Sequence, residues 1–264
     1  QHMKTNRIVK QHNDFVRNRI IIDNLVSTRI LMSFIANIKK DDDDFYECSI
    51  RATDVMKNYD GGKSYKEIEV ACDLLASVVH REYNRKSSFA MKPLFQLIEF
   101  KNGMITAKFN YYLKDFLLNL KANFTQYRID EFLKLPSLYS QKIFEILMSW
   151  SSMSDIHIDI DELHNVLNTP VSLRQDFCRM RTRVLEKAYK DINETTSLKY
   201  EWEAIKTKNK ITAIRFIFSQ KDRMVIQEAT IQKLTDKFIE AQARPGETWE
   251  EARNRLSNRN NKLF

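Results

Sequence analysis

Four arginines fall within ten residues, Arg174, Arg179, Arg181 and Arg183, and Lys187 follows four positions later. A guanidinium fork matches the N7 and O6 acceptors of guanine in a major groove, and neighbouring cations can anchor flanking phosphates. Asp176, Glu186 and Asp191 interrupt the positive charge, so the stretch is selective in where it is positive. A second set of donors, Lys63, Ser64, Tyr65 and Lys66, follows the turn at 60–62 and suits phosphate or base-edge contact. The chemistry offered is recognition of double-stranded DNA.

Bond-making chemistry finds less support. His157, Asp159, Asp161 and His164 have ligand-type side chains, but alternation puts His157 and Asp159 on one strand face and Asp161 at a helix cap. The four carboxylates of 41–44 diverge and repel, as a solvated loop does. Nicking initiators use a His–hydrophobic–His pair with a nucleophilic Tyr, whereas here His157-Ile158 is followed by Asp159. With only four glycines, Walker and dinucleotide-binding loops are absent, as is a Gly-x-Ser-x-Gly elbow. No enzymatic activity, metal or cofactor is expected. Cys48, Cys72 and Cys178 lack CxxC spacing and point to a reducing compartment; Cys72 sits on the apolar stripe of its helix. No apolar run reaches membrane-spanning length, and a cytoplasmic protein is expected.

These residues need a frame, and the sequence supplies one twice. The 264 residues carry a formal charge of +8 and are 43% hydrophobic, enough for real cores and attractive to polyanions. Helix, short strand, helix, turn, charged helix and two strands recur at an offset of roughly 105–110 residues. In the first pass Asn13 or Asp14 caps a short helix, 25–38 is helical, 45–50 is strand-like, and Thr53 or Asp54 starts the next helix. The charged helix spans 63–83, with Ile68, Ala71, Cys72, Leu75 and Val79 on one face, and strands 89–100 and 104–111 flank a turn at 101–103. A helix at 113–120 leads to a junction near 121–123 and an apolar helix at 137–150. In the second pass strand 156–160 precedes helix 162–167 capped by Asp161, and Ser172 caps a helix over 172–192. Phe177, Arg181, Val184, Ala188 and Ile192 lie near one direction of that helix; Arg179, Arg183, Glu186 and Lys190 lie opposite. Strands 198–203 and 211–218 enclose a basic tip of Lys206, Lys208 and Lys210.

Helix–turn–helix followed by a β-hairpin is the outline of a winged helix. The expected fold is α+β, mostly helical, with two tandem winged-helix domains related by pseudo-duplication. An N-terminal domain at 4–121 would serve dimerisation and DNA-backbone contact. A C-terminal domain at 122–220 would be the main DNA reader, followed by a helical extension at 221–264.

From Ile8-Val9-Lys10-Gln11-His12-Asn13 to about Gln220 the chain resembles the iteron-binding replication initiators of theta-replicating bacterial plasmids, the RepA/RepB/RepE-type Rep proteins. The most specific segments are Phe124-Thr125-Gln126-Tyr127 with Leu138-Tyr139-Ser140-Gln141-Lys142-Ile143-Phe144-Glu145, and Asp191-Ile192-Asn193-Glu194-Thr195 before Phe216-Ile217-Phe218. Lys142 stands where the family usually has Arg, keeping the charge and losing the bidentate fork. The resemblance implies binding to origin iterons through both domains, with the principal reading helix at 172–192. It also implies dimerisation through the N-terminal domain, repression of its own gene at an inverted repeat, origin opening, and recruitment of host initiator and replicative helicase. A winged-helix transcriptional repressor without a replication role is the alternative, because its DNA contacts would be alike.

Overall fold

Asn24 and Ser137 have extended backbones and side chains that accept from Ser27 N and Ser140 N, so each stops a strand-like approach and starts an apolar helix. Those helices span Leu25–Ile35 and Leu138–Met148. The computed structural model describes residues 7–218 apart from 18–21, 57, 61, 84–88 and 122. The expected extension at 221–264 lies outside them. The described residues up to Ile217 belong to one compact unit.

The first copy runs β1 (Ile8–His12), α1 (Asn13–Arg17), α2 (Leu25–Ile35), β2 (Cys48–Arg51), α3 (Ala52–Val55) and α4 (Gly62–Ser77). It continues with β3 (Val79–Tyr83), β4 (Phe89–Pro93), β5 (Phe95–Lys101) and β6 (Met104–Phe109). A 3-10 turn (Tyr111–Leu113) and α5 (Lys114–Leu117) lead to β7 (Phe124–Arg128), α6 (Ile129–Lys134) and α7 (Leu138–Met148). The second copy adds β8 (Asp155–Asp159), α8 (Ile160–Val166), α9 (Val171–Arg174) and α10 (Phe177–Met180). A π turn (Arg181–Leu185) joins α10 to α11 (Glu186–Thr195), followed by β9 (Tyr200–Thr207) and β10 (Lys210–Phe218).

The duplication is visible in the sheets. One has the order β2-β6-β5 and the other β8-β10-β9, the same arrangement of an early strand beside a closing hairpin. In both, the early strand pairs antiparallel with the last one, Ile50 opposite Ile105 and Ile158 opposite Ile214. Ile105 and Ile214 are fully buried, placing a core behind each sheet. β1 is completed by β7, with Ile8 opposite Arg128 and His12 opposite Phe124, so the chain start is tied to the segment beyond 121–123.

Five expectations about elements are corrected. The helix expected at 63–83 ends at Ser77, and 79–83 pairs as β3 with β4. Val78 and Val79 are β-branched and favour extended backbone, while the Ser77 hydroxyl turns back to Leu74 O at 2.7 Å. The strand expected at 89–100 breaks after Pro93, which has no amide hydrogen to continue a ladder. Helix 113–120 is shorter, because Leu118 is already extended. Asp159, not Asp161, caps α8, accepting from Asp161 N at 2.8 Å and Glu162 N at 3.4 Å. Finally, 172–192 is not one helix capped by Ser172. Ser172 lies inside short α9, and Asp176 caps the long helix by accepting from Arg179 N at 3.1 Å.

Candidate nucleic-acid interface

The π turn decides which way the second charged helix faces. One extra residue in the turn rotates everything beyond it by about 100°. The inward stripe is therefore Met180, Val184, Leu185, Ala188 and Ile192, all buried. Arg181, expected on the inward side, is exposed, and Arg179, Arg181, Thr182 and Arg183 form a nearly continuous outward run with Lys187 and Lys190 beyond.

The arginines differ in what already holds them. Arg179 Nε meets Asp176 Oδ2 at 3.1 Å and Arg181 Nε meets Glu186 Oε1 at 2.7 Å, both well exposed. Exposed pairs contribute about 0–1 kcal/mol, so a phosphate or guanine can replace either acid at small cost. Arg183 and Lys187 have no hydrogen bond or ion pair among the described residues. Arg174 is bound differently: Nε donates to Thr169 O at 2.9 Å, and the terminal nitrogens donate to Asn165 Oδ1 at 2.9 Å and His164 O at 3.2 Å. Its fork closes the C-terminal end of α8, where carbonyls lack helical partners. Beside it His164 is buried, with Nδ1 2.7 Å from Thr169 Oγ1; burial, and then Arg174, hold its pKa below the ordinary value.

The second hairpin turns through Lys208 and Asn209, with Lys208 at φ 57°, and presents Lys206, Lys208 and Lys210 to solvent. Arg215 braces the wing from β10, reaching Asp155 on one neighbouring strand and Glu203 on the other, each at 2.9 Å. The first hairpin turns through Asn102 at φ 52° and Gly103 at φ 74°, as a two-residue type I′ turn requires.

On α4, Lys63, Tyr65 and Lys66 are exposed, and Tyr65 rests against Phe100 with ring centroids 5.6 Å apart. Ser64 is turned inward: its hydroxyl donates to Asp60 Oδ1 at 2.8 Å and closes the turn before the helix. Beyond the first turn the exposed residues are Glu67, Glu69, Val70, Asp73, Leu74, Ala76 and Ser77, a set with acids and apolar groups and no cation. The two charged helices therefore present opposite surfaces.

Several side chains tie the copies together. Ser140 on α7 donates to Asp191 on α11 at 2.5 Å, Ser197 Oγ to Glu131 at 2.9 Å, and Asn168 Nδ2 to Asp23 at 2.9 Å. The Arg17 guanidinium lies 3.5 Å from the Trp150 ring centroid and donates to Ser149 O at 2.8 Å. Lys142 turns inward and donates to Val16 O at 3.3 Å, so it is spent inside the chain. Beside it Glu145 accepts from Gln11 Nε2 at 2.8 Å and Tyr127 OH at 3.0 Å; burial raises its pKa. No local pattern marks the role of Glu145, because its partner Gln11 lies 134 residues away.

Among the described residues no three His, Cys, Asp or Glu groups gather as a metal site, and no helix is long and apolar enough to cross a membrane. Asp159 is occupied as a cap, and His157 Nε2 lies 3.2 Å from Asp155. Burial pushes the Cys72 thiol up to about 11, and Cys178 is exposed.

Two winged helices joined through α7, with a cationic helix and a lysine-tipped hairpin on the second, define a winged-helix protein of the DNA-binding class. The family models agree: residues 8–148 match "Initiator Replication protein, WH1" and residues 159–218 match "Initiator Rep protein, WH2". The chain belongs to this initiator replication protein family. Among solved structures it is similar to the Pi initiator protein in complex with iteron DNA, at 16% identity and a TM-score of 0.65, covering 83% of this chain and 100% of that one. A weaker likeness is to domains 2-3 of RctB, at 12% identity and a TM-score of 0.44, covering 79% and 86%. No curated protein sequence gave a match.

Proposed function

We propose that this initiator binds plasmid origin iterons through both winged helices and reads their sequence with its second one. The exposed cationic face of α10–α11 carries the reading, and the likeness to a Pi initiator solved on iteron DNA supports it. Arg179, Arg181 and Arg183 reach base edges or flanking phosphates, Lys187 and Ser172 anchor the backbone, and Lys208 and Lys210 bring the wing onto the duplex. Lys63, Tyr65 and Lys66 position the first module against the phosphates. Ser64 and Arg174, whose polar atoms are engaged within the chain, hold the frame.

Once bound, the protein opens the origin and recruits host initiator and replicative helicase. A dimer formed through the N-terminal module represses its own gene at an inverted repeat. The protein works in the cytoplasm by binding alone, with no cofactor and no bond-breaking step. The test is binding of labelled origin fragments against competitor DNA at fixed salt, paired with transformation by an origin plasmid with and without the gene. Selective binding and gene-dependent establishment support initiation. Selective binding without establishment would instead mark a repressor, and nicking of supercoiled origin DNA with divalent metal would contradict the non-enzymatic part.

A further inference from the structure

Between the two modules lies a cavity of about 500 Å³, within the range of roughly 300–1,000 Å³ typical of small-molecule sites. Gln11 and Glu145, 0% and 6% exposed, line its inner part. Phe15 and Leu31 give it apolar walls, and the exposed Arg183 and Lys187 stand at its mouth.

The inner groups are unexplained by DNA binding. Glu145 is a buried carboxyl group, which is costly to hold unless its acceptors are used. The Gln11 amide oxygen is buried with no hydrogen-bond partner among the described residues, although the same amide donates to Glu145. The Gln11 oxygen is the open acceptor that a donor-bearing ligand would satisfy, and it lies beside Glu145, which already takes the Gln11 and Tyr127 donors and has the buried Lys142 near it. At the mouth, Arg183 and Lys187 are two cations unpaired within the described chain, suited to an anionic group. A ligand meeting all three demands has donors at one end, a flat apolar body and an anion at the other.

We propose that this cavity binds a nucleotide, with an amino-bearing base against Glu145 and Gln11 and its phosphate between Arg183 and Lys187. Because those two cations also belong to the proposed DNA-reading face, the bound phosphate competes with DNA. That second half rests on the proposed function; the site itself does not. Such coupling is reciprocal, so nucleotide weakens DNA binding by the factor with which DNA weakens nucleotide binding.

The test is calorimetric titration of the full-length chain, without DNA, using AMP and ATP as probes. Saturable binding of AMP at one site per chain is expected, at least tenfold weaker for purine riboside monophosphate, which lacks the amino group. Leu138→Trp, which fills the cavity, should abolish it, and Glu145→Gln, which keeps the volume, should weaken it at least tenfold in a protein that still melts cooperatively. No saturable binding of either probe, or binding unaltered in both variants, overturns the site. So does binding of a single-stranded oligonucleotide without binding of AMP. With DNA present, saturating AMP should lower origin affinity about fivefold or more. AMP binding with unchanged origin affinity overturns the coupling alone. Failure to bind origin DNA at all overturns the DNA reading, while the titration without DNA still decides the cavity.

Discussion

The first and second charged helices occupy equivalent places in duplicated modules, yet their surfaces have diverged. α4 shows Lys63 and Lys66 only in its first turn, then Glu67, Glu69 and Asp73 around exposed Val70 and Leu74. The second helix shows Arg179, Arg181, Arg183, Lys187 and Lys190, with acids paired to two of the arginines. Equal folds thus do not mean equal roles: a helix placed to enter a groove reads DNA only if its outward face favours the phosphates around it. The difference also has a backbone cause. The π turn brings Arg181, Thr182 and Arg183 outward together, with Val184 and Leu185 buried behind them.

The largest effect that would break this comparison belongs to Arg183. Arg183→Ala should cost about 1–3 kcal/mol of origin binding and relax preference at one base pair, read by competition at fixed salt. A uniform loss on all sequences would make it a phosphate contact and weaken the case for the second helix as reader. Next is Arg174, which lies beside the proposed readers in sequence but differs from them in its contacts. Arg174→Ala should lower unfolding stability by about 1–2 kcal/mol in denaturant melts, through lost hydrogen bonds at the end of α8, with base preference kept. If stability holds and specificity falls, Arg174 is a reader after all.

A smaller effect is expected in the first wing. Gly103→Ala places an L side chain at φ 74° with open space around it, so only the backbone penalty applies, about 1 kcal/mol. Its measure is again the melt, and origin preference should stay constant if the first module only positions the DNA. The smallest effect is a pH dependence confined to the second module. The folded His164 pKa lies below its ordinary value, so the unfolded chain takes up its proton first as pH falls. The stability this group contributes is complete above the ordinary value and is lost as pH drops towards the folded one. The thermal midpoint should therefore fall on mild acidification, and the fall should shrink in His164→Gln.

Much of this division was legible in the residues. The charge contrast, the two apolar helices and the lysine-tipped hairpin follow from periodicity and residue type, which act locally. What escaped was non-local or irregular. Val79 falls four residues after Leu75 and so continues a helical stripe, although pairing with Pro93 makes it strand. A five-residue turn leaves no mark in a 3.6-residue pattern, which put Arg181 on the wrong face. Spacing likewise cannot show that the Arg174 fork bends back onto His164 and Thr169. The Gln11–Glu145 pair joins the two ends of the first family domain and has no local signal.

The most direct test of the central claim compares two double variants in one assay. Arg179→Ala/Arg183→Ala and Lys63→Ala/Lys66→Ala are each titrated with an origin fragment and with unrelated DNA at the same salt. If the second helix reads and the first positions, the arginine pair loses origin preference, while the lysine pair weakens both DNAs alike and reduces the salt slope by about 2. Retained preference in the arginine pair, or preference lost only in the lysine pair, would contradict the division of labour between the two modules.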